Sequence, residues 1–175
     1  TKMVSCYNME YKFTRRSADI VNCCFTGHRM LYQTSQLKQQ LQITLEQLIQ
    51  QGVINFYAGG ALGWDTLCAC SVISLRKVYP QIRLHLVLPC SVSDQTQGWR
   101  ADDIMVYHEI MIAADSVEYT SASYWKGCMK KRNARLIAYA DCCVCYFSTN
   151  RLHSGTGQTV RMAKEKGIPV INLFQ

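Results

Sequence analysis

The chain has 175 residues, 49% of them hydrophobic and 18% charged, with 19 basic against 12 acidic side chains and a formal net charge of +7. That suits one globular domain with a real core; it is too short for two ordinary domains and too apolar for a disordered chain. No apolar run approaches the ~20 residues of a membrane helix, so no membrane contact is expected.

Residues 1–20 show no clear period. Cys6, Tyr7, Met9, Tyr11 and Phe13 alternate loosely, which reads as an N-terminal extension or added edge strand before a single domain over 21–175. No basic-then-apolar leader opens the chain, and Thr1 at its start suggests trimming. Ile20–Phe25 is predicted as a buried strand. Ser35–Gln51 is predicted as a helix with Leu37, Leu41, Leu45 and Leu48 on one stripe, capped by Thr34 or Ser35 and closed by Gly52. Val53–Ala58 is a second strand, and Asp65–Tyr79 a well-buried helix. Arg83–Leu88 is a third strand that Pro89 stops. Cys90–Gly98 is a long polar connection at a strand end, suited to a mobile flap. Then follow a helix over Trp99–Ala114, a short strand over Val117–Tyr119 and a helix over Tyr124–Ala140. The strand Cys142–Phe147, the helix Gly157–Lys166 and the strand Pro169–Leu173 complete the chain.

Strands and helices alternate, and the strands are continuous apolar runs, as burial on both faces requires. The fold class is therefore α/β: a Rossmann-like, doubly wound, mostly parallel sheet with helices on both faces. The ten cysteines sit largely inside apolar segments, as in Cys23-Cys24 and Cys142-Cys143-x-Cys145. They read as buried reduced thiols, which places the protein in the cytoplasm. Zinc-type spacing is not repeated, so no metal is expected.

Three short loops follow apolar runs: Thr26-Gly27-His28-Arg29, Gly59-Gly60-Ala61-Leu62-Gly63-Trp64-Asp65 and Ser154-Gly155-Thr156-Gly157-Gln158-Thr159. Glycine lets backbone approach a ligand, and a strand–turn–helix aims free N–H groups and a positive dipole end at one spot. In a doubly wound sheet all three turns lie beyond the strands' carboxyl ends. They form a candidate composite pocket for a phosphate-bearing small molecule. Arg29 can fork onto phosphate, and His28 can donate a hydrogen bond, act as acid or base, or cap a turn. Asp65 is a ribose acceptor or a helix-start residue, and Trp64 stacks on a base or packs. Asn133 falls on the apolar side of its helix, so its amide pins a loop or faces ligand, with Arg132 beside it. Ser154, Thr156 and Thr159 offer hydroxyls at a helix start. His108 reads as a core or rim histidine, and Asp115 and Asp141 as turn residues. Lys126, Lys130, Lys131, Arg132 and Arg135 make a basic cluster that a solvated helix face largely explains.

With Arg132-Asn133 before Ala140-Asp141 and the Ala163–Pro169 tail, these loops resemble the SLOG superfamily, Rossmann-like proteins that include the DprA and LOG proteins. The likeness covers roughly Val21–Leu173 and is nearest the YpsA-type branch. The resemblance implies a pocket for a nucleotide or nucleotide-derived ligand, such as an ADP-ribose-like molecule. Gly27, Arg29, Gly59, Gly60, Asp65, Arg132, Asn133, Gly155, Thr156 and Thr159 would line it, and His28, Gly63, Ser154 and Gly157, in the same loops, are further candidate ligand or phosphate contacts. LOG enzymes carry a catalytic glutamate after a Pro-Gly-Gly-x-Gly-Thr run; here Val160, Arg161 and Met162 follow Thr159. A binding or sensor role is accordingly favoured. The alternatives are an N-glycosidic hydrolase of nucleoside monophosphates, with Asp65 or His28 as its acid, and a DprA-like single-stranded DNA-binding module. Nucleic acid is thus a less favoured partner than a small nucleotide. A homo-oligomer would use exposed aromatics, for which Tyr107, Tyr124 and Trp125 are the candidates.

Overall fold

The structure, a computed structural model, describes residues 21–174; the edge strand expected within residues 1–20 lies outside them. Six strands form one sheet: β1 (Asn22–Gly27), β2 (Asn55–Ala58), β3 (Arg83–Leu88), β4 (Ser116–Tyr119), β5 (Cys142–Tyr146) and β6 (Val170–Asn172). Their order is β4-β3-β2-β1-β5-β6, and every pairing is parallel. The connecting helices are α1 (Thr34–Gln50), α2 (Trp64–Leu75), α3 (Val92–Gln95), α4 (Ala101–Ala113), α5 (Cys128–Tyr139) and α6 (Gly155–Lys166). The chain is an α/β protein of Rossmann-like architecture.

Strand alternation divides the core in two. Cys23 and Phe25 of β1, with Cys142, Val144 and Tyr146 of β5, pack with Leu41 and Leu45 of α1 and Trp64, Cys68 and Val72 of α2. Cys24, Cys143 and Cys145 point the other way, onto Leu136 and Ile137 of α5 and Val160 and Ala163 of α6. Both faces of each central strand are therefore covered, so an apolar residue is needed at every position. Cysteine serves as a small apolar filler there: all described cysteines are free thiols, and only Cys70 is exposed. Among the described residues no helix is long and apolar enough to cross a membrane.

Several boundaries differ from the sequence expectation. The N-cap of α1 is Gln33, in the left-handed region at φ 49°, with no side-chain cap from Thr34 or Ser35. Helix α2 stops at Leu75, because Arg76–Tyr79 tighten into turns whose Val78 and Tyr79 N–H groups return to the Leu75 carbonyl. Helix α5 begins at Cys128, since Tyr124 and Trp125 are held outside it: Tyr124 N–H donates to Asp94 Oδ2 and Trp125 Nε1 to Ser121 Oγ. The polar connection after β3 contains the one-turn helix α3, with Ser91 Oγ accepting from the Asp94 N–H.

The two acidic turn residues both serve the sheet. Asp141 accepts from the Val21 and Asn22 N–H groups at the start of β1. Asp115 accepts from Leu84 N–H and pairs with Arg76 at 2.8 Å. At the far end of α5, Lys166 Nζ donates to the carbonyls of Ile137, Ala138 and Ala140, so the end of α6 caps α5. His108 is an exposed rim residue. Tyr107, expected among the exposed aromatics, is 4% exposed and belongs to the core under Trp99; Tyr124 and Trp125 are exposed.

Candidate functional site

Strand order reverses at β1, which is flanked by β2 on one side and β5 on the other. In such sheets the reversal leaves a crevice beyond the strands' carboxyl ends, because the loops on either side diverge. Here that crevice is a hollow of about 350 Å³. β1 and its loop supply Phe25, Thr26, Gly27, His28, Arg29 and Met30. The loop after β2 supplies Ala61, the first turn of α2 supplies Asp65, and α5 supplies Met129, Arg132, Asn133 and Leu136. Arg151, from a 3-10 turn after β5, and Gly155 and Thr156, at the start of α6, close the ring.

The expected residues divide into two sets. Gly27, His28, Arg29, Asp65, Arg132, Asn133, Gly155 and Thr156 line the hollow, whereas Gly59, Gly60, Gly63, Ser154, Gly157 and Thr159 stand behind it. Gly59 gives its carbonyl to Arg132 Nη1. A Cβ at Gly59 would occupy the space of that guanidinium, so only glycine lets Arg132 lie against the turn. Gly60 accepts from Gln95 Nε2, and Gly63 lies against the Arg29 carbonyl. Ser154 Oγ caps α6 by accepting from Gly157 N–H at 3.1 Å. Thr159 is wholly buried and returns its hydroxyl to the Gly155 carbonyl. This is helix construction: the Ser154 cap takes the Gly157 N–H and leaves those of Gly155 and Thr156 at the hollow's edge. Trp64 is fully buried, so it packs rather than stacks on a ligand.

Electrostatically the hollow is cationic. Arg29, Arg132 and Arg151 face a single carboxylate, Asp65. Asp65 and Arg132 pair at 3.4 Å and are 5% and 6% exposed. Burial pushes the Asp65 carboxyl above the usual aspartate range, with Arg132 and the Ala61 N–H pulling against it. Burial likewise lowers the Arg132 guanidinium. Arg29 and Arg151 are exposed and have no acidic partner among the described residues. The unbalanced charge at the mouth therefore belongs to those two. Arg151 was not among the residues singled out by sequence; a cation three residues before Ser154 was its only signal.

His28 acts as an acceptor. Its Nε2 takes the Ser148 N–H at 3.1 Å, so the neutral ring carries its proton on Nδ1. Burial, then Arg151, holds its pKa below the ordinary histidine value. A histidine lowered on folding contributes stability that is present above about pH 6.5 and lost as pH falls through its folded value. Thermal unfolding from pH 7 to 5 should therefore show falling stability. His28→Gln, whose amide oxygen accepts without titrating, should show a flatter profile, His85 supplying the rest because burial lowers it too. An unchanged slope in His28→Gln would remove His28 from this role.

The sheet order and the cation-lined crevice define a Rossmann-like α/β protein with an anion-attracting hollow. The chain belongs to the YpsA family, described as the YspA SLOG family, whose model matches residues 23–170. It is similar to the UPF0398 protein BH1768 of Halalkalibacterium halodurans, 28% identical over 107 residues, which are 60% of this chain and 56% of that protein. A UPF0398 protein of Bacillus pumilus is 32% identical over 82 residues, 47% of this chain and 43% of that one. The chain thus spans about half the length of the curated relatives it matches.

Proposed function

We propose that the protein is a cytoplasmic binding or sensor module for a nucleotide or nucleotide-derived ligand, held in the hollow beyond β1 and β5. The observation that carries this reading is a pair of guanidiniums, Arg29 and Arg151, without an acidic partner among the described residues, beside the open N-terminus of α6 at Gly155 and Thr156. A phosphate there accepts from planar guanidiniums and from backbone N–H groups together. Asn133 offers an amide to the same space, suited to a ribose hydroxyl or a base edge. The buried Asp65–Arg132 pair forms the floor.

The hydrolase alternative needs a free acid or base. Asp65 is committed to Arg132 and the Ala61 N–H, and His28 Nε2 to the Ser148 N–H. That commitment favours binding over N-glycosidic cleavage. A calorimetric titration with mononucleotides, dinucleotides and ADP-ribose tests the reading. Arg29→Ala and Arg151→Ala should each weaken phosphate-bearing ligands by about tenfold or more, because a charge-assisted hydrogen bond contributes ~1.5–3 kcal/mol. Binding should also weaken with added salt. Affinities indifferent to both substitutions would remove the phosphate from this place.

A further inference from the structure

Five buried side-chain polar atoms among the described residues lack a hydrogen-bond partner, and three of them gather around one turn. They are Gln95 Oε1 on α3, Tyr107 Oη on α4 and Arg132 Nε on α5. Their residues are 5%, 4% and 6% exposed. All three reach the Gly59–Gly60 turn after β2. Arg132 Nη1 donates to the Gly59 carbonyl, and Gln95 Nε2 donates to the Gly60 carbonyl at 3.2 Å. A Cβ at Gly60 would stand 3.2 Å from Tyr107 Cε2 and 3.5 Å from Tyr107 Oη. Folded proteins seldom leave one buried polar atom unpaired, and three on three helices around one turn call for a common cause.

The donor inventory states what would satisfy them. Gln95 Oε1 only accepts, Arg132 Nε–H only donates, and the Tyr107 hydroxyl does either. The set is neutral apart from Arg132, whose charge Asp65 balances. A planar group with an N–H beside an acceptor meets all three. That is the hydrogen-bonding edge of a nucleobase or another cyclic amide.

We propose that Gln95, Tyr107 and Arg132 form a second subsite, next to the hollow, that takes the donor–acceptor edge of a heterocyclic base. The inference rests on the reading of the hollow as a phosphate site, since Arg132 borders both. The trio is buried, so the base enters when α3 lifts from Gly60. Helix α3 is a single turn; its side-chain hydrogen bonds to the rest of the fold are Gln95 to Gly60 and Asp94 to the Tyr124 N–H, and Val92 packs on the core beneath it, a contact that lifting must also break. The base then replaces Gly60 as the partner of Gln95.

Calorimetry with ribose 5-phosphate, inosine 5′-monophosphate and adenosine 5′-monophosphate tests this on wild type, Tyr107→Phe and Gln95→Met. Tyr107→Phe keeps the ring against Trp99 and removes only the unpaired hydroxyl. It should weaken the nucleotides by about 5–10-fold and leave ribose 5-phosphate unchanged. Its unliganded melting temperature should hold or rise, because no bond is lost. Gln95→Met should weaken the same ligands selectively. The nucleotide that loses more identifies the base edge read. Equal wild-type affinity for ribose 5-phosphate and both nucleotides overturns the subsite and leaves the phosphate site standing; so does equal weakening of all three ligands, or a lowered melting temperature in Tyr107→Phe. No binding of any of the three in wild type overturns both.

Discussion

Replacing Arg132 with methionine should destabilise the ligand-free protein by about 3–5 kcal/mol, the cost of leaving a buried charge without its partner. Asp65 would keep only the Ala61 N–H, and the Gly59 carbonyl would lose its donor. For a domain of this size that loss lowers the melting temperature by roughly 10 °C or more. The deficit should shrink on acidification. Burial already raises the Asp65 pKa on folding, so the folded state favours the protonated carboxyl and gains stability as pH falls toward the unfolded value of about 3.8. Without Arg132 that preference strengthens, because the largest opposing pull on the carboxyl is gone, and protonation on acidification relieves the buried charge. The double variant Asp65→Leu, Arg132→Met should recover most of the loss, because apolar replacement of a buried pair is often neutral. A loss under about 1 kcal/mol in Arg132→Met, read by denaturant titration at pH 7, would mean that the pair is solvated and does not form the floor of the hollow.

Much of this architecture could be read from residue pattern alone. Continuous apolar runs such as Cys142–Tyr146 located the central strands, because a strand covered on both faces buries successive side chains, with polar residues such as Asn22 and Thr26 only towards its ends. The glycine turns located the carboxyl edge, since the hollow does open there. Pattern fails where a partner distant in sequence decides the outcome. Tyr107 looks like a surface aromatic on a helix, yet Trp99 and the Gly60 turn cover it. Tyr124 and Trp125 continue a helical pattern that Asp94 and Ser121 interrupt. The division of the glycines was equally hidden. Gly155 borders the hollow with open space around it, Gly59 and Gly63 let Arg132 and the Arg29 carbonyl approach from behind, and Gly27 does both, bordering the hollow while lying against Trp64. Spacing cannot separate a glycine that admits a ligand from one that admits a neighbouring side chain.

The same distinction governs His28 and Arg151. Sequence proximity made His28 and Arg29 a natural pair of ligand contacts, but they serve differently. His28 turns inward and locks the loop after β5 through Ser148, which carries the chain on to Arg151. Arg29 stays at the surface, with no acidic partner among the described residues. A histidine that accepts a backbone N–H thereby ties the loop that carries Arg29 to the one that leads to Arg151. Acidification that charges His28 removes the acceptor for the Ser148 N–H.

The second large effect should come from Trp64→Ala, about 3–5 kcal/mol of lost stability, as expected for a fully buried tryptophan whose site cannot collapse. Trp64 joins three of the elements that border the hollow. Its N–H donates to the His28 carbonyl, its Nε1 donates to the Val144 carbonyl at 3.3 Å, and its ring stacks on Tyr146 with centroids 5.5 Å apart. The Cβ that Gly27 lacks would overlap the same ring, so the first loop lies directly on the indole. Removing the ring therefore leaves a void under Gly27 and frees the loop that carries His28 and Arg29. Trp64→Phe keeps much of the ring but not the Nε1 donor, and should cost about 1–3 kcal/mol. Denaturant titration orders the variants, and ligand titration of Trp64→Phe below its unfolding transition reads the loop separately. If Trp64 sets the loop as well as filling the core, the phosphate-bearing ligands should bind Trp64→Phe more weakly than wild type even where the variant is fully folded. Wild-type affinity in the folded Trp64→Phe protein would reduce Trp64 to core packing and leave the position of Arg29 to the Gly63 contact alone.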